Sequence, residues 1–387
     1  MTNLPEDPRH ALMLLSSIVE PGDAELDDLL GEVGPIEAVR CVWEREVPER
    51  LQRITSAAVA CTRDPRERCE ALVSATAACD SRVLVPGDRE WPEQLRDLLL
   101  VCDTDEPHMR PPRCLWVRGE GDLGAMCRRS VAIVGARAAS DYGRHVADGI
   151  AADLAEAGWT VISGGAVGID RAAHLGSLAR GGPTVAVLAS GVEQLYPQGN
   201  RPMFDLIAQK GLLVSEWPPC SSPMRHRFLT RNRVIAALAA GTVVIEAGVR
   251  SGARNTARHA AELDRVLMFT PGPVTSSASI GTHELARGPW EARLVTRAEE
   301  VIEDVTGIGG PMAPSPPTQR KAFDRLTEVQ ARLVEALPRG YVIDEGRLAA
   351  AAGVPVVTAA ETLDRLRELG WVELLDGRWR LARIETA

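Results

Sequence analysis

A chain of 387 residues exceeds one ordinary domain, and a hydrophobic content of 45% is enough for at least one large core. A net charge of −9 excludes a histone-like protein coated in positive charge. The early apolar stretch Ala11 to Val19 is too short and too interrupted by serines for a secretory signal or a membrane span, so a cytoplasmic protein without a membrane segment is expected.

In chain order, residues 1–82 read as a small helical domain. Leu12, Leu15 and Ile18 recur at helical spacing, and turns such as Pro21-Gly22-Asp23 separate the helices. The segment from Pro86 to Gly119, with its Leu-rich helix, leads into a second domain spanning 83–306. There, short aliphatic runs alternate with helix-length segments: 131–134, 160–162, 184–188, 212–214, 242–245 and 266–269. Continuous apolar runs of this kind belong to strands covered on both faces, which predicts an α/β fold with a doubly wound, mostly parallel, Rossmann-like sheet. Residues 307–320 are a Gly/Pro-rich linker. Residues 321–387 read as three helices and a hairpin closed by Asp376-Gly377, a winged-helix-like pattern.

Charge is segregated along these parts. Residues 1–110 hold 12 arginines and no lysine against 23 acidic residues, a net of −11, whereas Met224 to Arg265 holds 8 arginines against 3 acids, a net of +5. The tail from Arg320 carries 11 basic and 11 acidic residues, leaving DNA and protein contact equally open for it. The eight cysteines form no CxxC pair and have no histidine at metal spacing, so no metal, disulfide framework or cofactor is expected.

Three glycine-bearing strand-to-helix junctions carry the chemistry: Gly135-Ala136-Arg137, Ser163-Gly164-Gly165-Ala166-Val167-Gly168, and Gly248-Val249-Arg250-Ser251-Gly252-Ala253-Arg254. Such loops share the carboxyl edge of a parallel sheet, where free backbone N–H groups and helix dipoles favour phosphate. The segment Arg225-His226-Arg227-Phe228-Leu229-Thr230-Arg231-Asn232-Arg233 surrounds one aromatic ring with arginines. That composition suits phosphate contact with a base stacked on Phe228, or equally a solvated helix start with Phe228 in the core. The chain has no GxxxxGK[ST], HExxH or GxSxG, GxGxxG is absent after the first aliphatic run at 131–134, and Asp170 and His174 read as structural helix residues, so no catalytic residue is assigned.

The order of Gly135-Ala136-Arg137, Ser163-Gly164-Gly165-Ala166-Val167-Gly168-Ile169-Asp170, Ser190-Gly191, Tyr196-Pro197, Ser215-Glu216, Phe228-x-x-Arg231-Asn232-Arg233, Ser251-Gly252 and Pro271-Gly272 resembles the DprA/Smf family of DNA-processing proteins. The resemblance implies a non-enzymatic, homodimeric protein. Such a protein binds single-stranded DNA, protects it, and helps load the recombinase RecA in natural transformation. It also implies a SAM- or helix-hairpin-helix-like first domain. By position the resemblance implies that Arg137, the Gly164-Gly165 loop, Arg225, Phe228, Arg231 and Arg233 line a DNA pocket; with the glycine junctions and the basic segment, the DNA- or phosphate-binding candidates are Gly135, Arg137, Ser163, Gly164, Gly165, Gly168, Arg225, Arg227, Phe228, Arg231, Asn232, Arg233, Ser251, Gly252 and Arg254. Two departures stand out: Ala253-Arg254-Asn255 replaces the family's Ser-Leu-Ile, and His283 stands where relatives usually carry Asn. The competing reading is a phosphoribohydrolase-like enzyme of the lysine-decarboxylase-like group; its double glycine and catalytic Glu are missing near Gly248 to Thr256.

Overall fold

The protein is described by a computed structural model covering residues 3–62, 64–101, 109–249, 251–307, 309–314, 322–338 and 340–382. Cys102, Arg250 and half of the Gly/Pro linker lie outside these residues. The chain divides into two compact units, Met1–Ala313 and Pro314–Ala387.

Five helices open the first unit: α1 (Pro8–Ile18), α2 (Ala24–Val33), α3 (Pro35–Trp43), α4 (Glu49–Cys61) and α5 (Pro65–Ala78). Their starts are written locally. Asp7, Asp23 and Asp64 cap α1, α2 and α5 by accepting from backbone N–H groups, and proline fills the first turn of α1, α3 and α5. Leu14, Leu15, Leu26, Val39 and Leu51 close a core of their own.

A nine-stranded sheet follows, built from β1 (Ser81–Leu84), β2 (Leu115–Arg118), β3 (Ser130–Val134), β4 (Thr160–Ser163), β5 (Thr184–Leu188), β6 (Leu212–Ser215), β7 (Gly241–Val244), β8 (Val266–Phe269) and β9 (Arg293–Leu294). The spatial order is β1-β2-β6-β5-β4-β3-β7-β8-β9. The seven strands from β6 to β9 pair in parallel, while β2 runs antiparallel to β6 and to β1. The mostly parallel sheet expected from the aliphatic runs is therefore present. An antiparallel extension supplies one edge, and the 82/83 boundary falls inside β1. The Leu-rich segment Glu93–Leu100 winds as a 3₁₀ helix rather than an α-helix.

The remaining helices of this unit are α6 (Leu123–Cys127), α7 (Asp141–Glu156), α8 (Ile169–Ala179), α9 (Arg201–Lys210), α10 (Arg225–Leu238), α11 (Gly252–Glu262), α12 (Ile280–Arg287) and α13 (Ala298–Thr306). Alternate residues of β3 face opposite layers. Ala132 and Val134 pack with Val234, Leu238 and Ala257 of α10 and α11, whereas Val131 and Ile133 pack with Ile150, Leu154, Ala173 and Val301 of α7, α8 and α13. Both faces are thus covered, which is why the strands read as unbroken apolar runs. The chain leaves β3 toward β4 on one side and returns to β7 on the other, so a crevice opens beyond the carboxyl ends of β3 and β7.

The second unit holds α14 (Glu328–Ala336), α15 (Glu345–Ala352) and α16 (Val356–Glu368), then a hairpin of β10 (Val372–Leu375) and β11 (Arg378–Leu381). A Thr327/Gln330 capping box starts α14. Asp376 and Gly377 both take positive φ, 48° and 76°, as a two-residue hairpin turn demands. Among the described residues no helix is long and apolar enough to cross a membrane.

Candidate nucleic-acid interface

The crevice at the β3/β7 switch point is a cleft of about 500 Å³. Its walls come from four places: Gly135, Ala136 and Arg137 after β3; Ala166 and Asp170 around the start of α8; Gly248, Ser251 and Gly252 after β7; and Phe228, Arg231, Asn232 and Ile235 along α10. The α10 residues fall at i, i+3, i+4 and i+7, one face of the helix.

The floor is Arg231. It is only 5% exposed and donates from Nη1 to the carbonyl oxygens of Gly164, at 2.8 Å, and Val187. Burial pushes its pKa down to about 10, with Asp170 acting in the opposite direction. Its Nη2 has no partner among the described residues. A Cβ at Gly164 would lie 2.5 Å from that nitrogen, so this glycine is what lets the guanidinium reach the floor. Gly168 is set by its backbone: at φ +87° any Cβ would collide with the Ala136 carbonyl oxygen, and so the loop turns into α8 only with glycine.

The mouth is aromatic and cationic. The Arg137 guanidinium stands 5.2 Å from the Phe228 ring centroid, and Tyr196 lies on Phe228 at 5.7 Å with an interplanar angle of 55°. Arg137 and Tyr196 are exposed, Phe228 is half-buried, and Phe228 belongs to none of the hydrophobic cores. Among the described residues neither Arg137 nor Arg225, which is exposed in the first turn of α10, pairs with an acidic group. Tyr196 enters the sequence analysis only as part of the family pattern with Pro197 and not as a binding candidate; the signal for it was an aromatic side chain in the loop beyond β5.

The other candidates divide as follows. Gly135, Arg137, Phe228, Arg231, Asn232, Ser251 and Gly252 come together around the cleft. Asn232 ties its two walls by donating to Asn255 Oδ1 at 3.1 Å, and Ser251 caps α11 by accepting from the Ala253 N–H. Ser163 is fully buried and donates to the Ile133 carbonyl oxygen at 2.6 Å; Gly165 packs against Phe204, and neither reaches the cleft.

Two arginines require correction as phosphate ligands. Arg233, 0% exposed, makes two bonds to the Glu216 carboxylate at 2.5 and 2.7 Å and donates to the carbonyl oxygens of Arg110 and Thr230, so no donor face is left for a ligand. Arg254 turns from the cleft to Glu284 at 2.7 Å and to the Val249 carbonyl oxygen. Arg227 is held by Glu20. His283 supplies a hydrogen bond of its own at the family's Asn position, Nε2 lying 3.2 Å from the Gly272 carbonyl oxygen.

Asp170 is 7% exposed and accepts from the Ala166 N–H at 3.3 Å. Burial raises its pKa, opposed by Arg231. His174 is fully buried with Nδ1 2.8 Å from Thr184 Oγ1, and burial holds its pKa down at about 3. A histidine depressed in the fold and ordinary when unfolded stabilises the protein fully above pH 6.5 and progressively less as pH falls toward 3. Urea midpoints should therefore show about 2 kcal/mol lost between pH 7 and 5 through this residue. His174→Gln is expected to flatten that part of the profile, and an unchanged slope would deny His174 this role.

Fold and cleft define a Rossmann-like α/β protein with an arginine- and aromatic-lined cleft at the switch point of its sheet. Residues 82–306 match the family described as DNA recombination-mediator protein A. Over 372 residues the chain is 42% identical to the putative DNA processing protein DprA of Mycobacterium tuberculosis strain H37Rv, covering 95% of this chain and 93% of that one. It is 35% identical over 309 residues to protein Smf of Escherichia coli strain K12, covering 78% of each. The X-ray structure of DprA from Streptococcus pneumoniae superposes with a TM-score of 0.57 at 27% identity, over 78% of this chain and 98% of that chain. The chain belongs to the DprA/Smf family of DNA-processing proteins.

Proposed function

We propose that this chain is a recombination mediator that binds single-stranded DNA in the switch-point cleft without turning it over. The observation that carries this is the Arg137–Phe228–Tyr196 layer across the cleft mouth. Every base has a π-face, so such a layer accepts a strand of any sequence, while unpaired arginines take its phosphates. The cleft floor adds Arg231 and the N-terminal end of α11. A duplex, whose bases are stacked inside, offers the layer nothing.

Loading of RecA, a homodimeric state, a cytoplasmic location, a winged-helix role for residues 321–387 and a domain boundary at 306/307 belong to the same proposal. The non-enzymatic reading is supported by Asp170 and His174, whose hydrogen bonds serve the loop and the sheet.

The test is binding of oligo-dT against duplex of equal length across a salt series. With two to three phosphates held by Arg137, Arg225 and Arg231, log affinity for the single strand should fall with a slope of about −1.4 to −2.1 against log salt. A salt-independent affinity, preference for duplex, or release of free base from the oligonucleotide would each overturn the reading.

A further inference from the structure

Beside the cleft, at the start of α10, lies a second cluster of anion-seeking groups. Arg227 donates to Glu20 Oε1 from Nη2 and, at 3.1 Å, from Nε; its guanidinium stands 5.5 Å from the Trp217 ring centroid. The Trp217 indole N–H donates to Glu20 Oε2 at 2.8 Å, and His226 Nε2 lies 3.8 Å from the same oxygen. Glu20 belongs to the turn between α1 and α2, so a carboxylate of the acidic helical segment sits on the most basic stretch of the chain.

The exposures differ in a telling way. The Arg227 side chain is 14% exposed and Trp217 2%, whereas Glu20 is 47% exposed. Arg227 and Trp217 are therefore fixed in the wall, while Glu20 and His226, itself 56% exposed, stand on the solvent side, where a competing anion can approach them. A carboxylate and a phosphate present the same pair of oxygens to a guanidinium fork.

We propose that Arg227, His226 and the Trp217 indole form an anion site that Glu20 occupies in the DNA-free protein, and that a backbone phosphate of a strand running out of the cleft takes over. The proposal rests on the single-strand reading above. Arg227 precedes Phe228 by one residue, about 100° around the helix, so the site sits next to the stacking layer and serves a strand too long for the cleft alone.

The experiment uses the full chain with oligo-dT of about 4 and about 16 nucleotides, near the two ends of ordinary single-strand site sizes. Glu20→Gln keeps an amide oxygen for the indole and removes the competing charge. It should tighten binding of the longer strand about two- to five-fold, the scale of one exposed ion pair, and leave the shorter one unchanged. Arg227→Ala should weaken only the longer strand, and Glu20→Gln should have no effect in that background. If Glu20 instead acts as a strut for α10, Glu20→Gln will weaken the longer strand or leave it alone, and the proposal falls while the cleft reading stands. An independent readout is the indole N–H resonance of Trp217, which should shift when inorganic tripolyphosphate or the longer strand displaces Glu20. If no oligonucleotide binds, the cleft reading fails and tripolyphosphate still decides: a shift retains the anion site, and an unmoved resonance removes it.

Discussion

Replacing Arg233 with alanine is expected to cost the fold about 3–5 kcal/mol while leaving the affinity of the molecules that stay folded unchanged. The cause is Glu216. Its carboxylate is 4% exposed and takes both of its close bonds from Arg233, at 2.5 and 2.7 Å. Deleting the guanidinium leaves that anion buried and uncompensated, and it removes the side-chain donor from the carbonyl oxygens of Arg110 and Thr230, the latter keeping its place in the α10 ladder. Removing both charges is a different matter. Arg233→Met combined with Glu216→Leu fills similar volume without a buried ion, so it should recover most of the loss. Urea midpoints measure the first effect, and oligo-dT titration corrected for the folded fraction measures the second. An Arg233→Ala protein with a normal midpoint and weakened binding would make Arg233 a phosphate ligand after all.

Composition alone makes Arg233 a ligand, and helix geometry takes it out of the cleft. Residues 231 and 233 are two apart, about 200° around a helix, and therefore point to opposite sides of α10. Arg231 reaches the cleft floor and Arg233 reaches Glu216. The spacing of Phe228, Arg231, Asn232 and Ile235 was available in the sequence and would have separated the two arginines. The partners were not: Glu216 and Glu284 are distant in the chain from Arg233 and Arg254, and nothing local announces either pairing.

The sheet was legible for the converse reason. Each central strand is apolar on both faces because helices cover both, and each of the first two ends on a glycine turn that is needed locally, as at Gly135 and Gly164. The antiparallel edge was harder to read. Leu115-Trp116-Val117-Arg118 is short, and its pairing with β6 joins residues nearly a hundred positions apart, which no local periodicity fixes. Helical starts in the first 80 residues and the turn at Asp376-Gly377 depend on side chains within a few positions, and those are the features a single sequence expresses most directly.

Phe228→Ala is expected to weaken single-strand binding by about 1–3 kcal/mol for each base that loses its platform, with the salt slope nearly unchanged. The ring is half-buried between Arg137 and Tyr196 and contributes to no core, so truncation opens no internal cavity. Its effect on melting should therefore stay well under the roughly 3–5 kcal/mol of a buried phenylalanine. The truncation also frees Arg137 and Tyr196 from their shared partner. Two side chains that were held in one layer become independently mobile, which puts the loss toward the upper part of the range. Arg225→Ala supplies the contrast. An exposed, unpaired cation acts on phosphate alone, so its removal should weaken all sequences alike and reduce the slope by about 0.7, the share of a single phosphate. Stacking and charge are thereby separated by two measurements: affinity at fixed salt, and its dependence on salt. A Phe228→Ala protein that melts several kcal/mol lower yet binds normally per folded molecule would place the ring in the core and remove the stacking layer from the cleft.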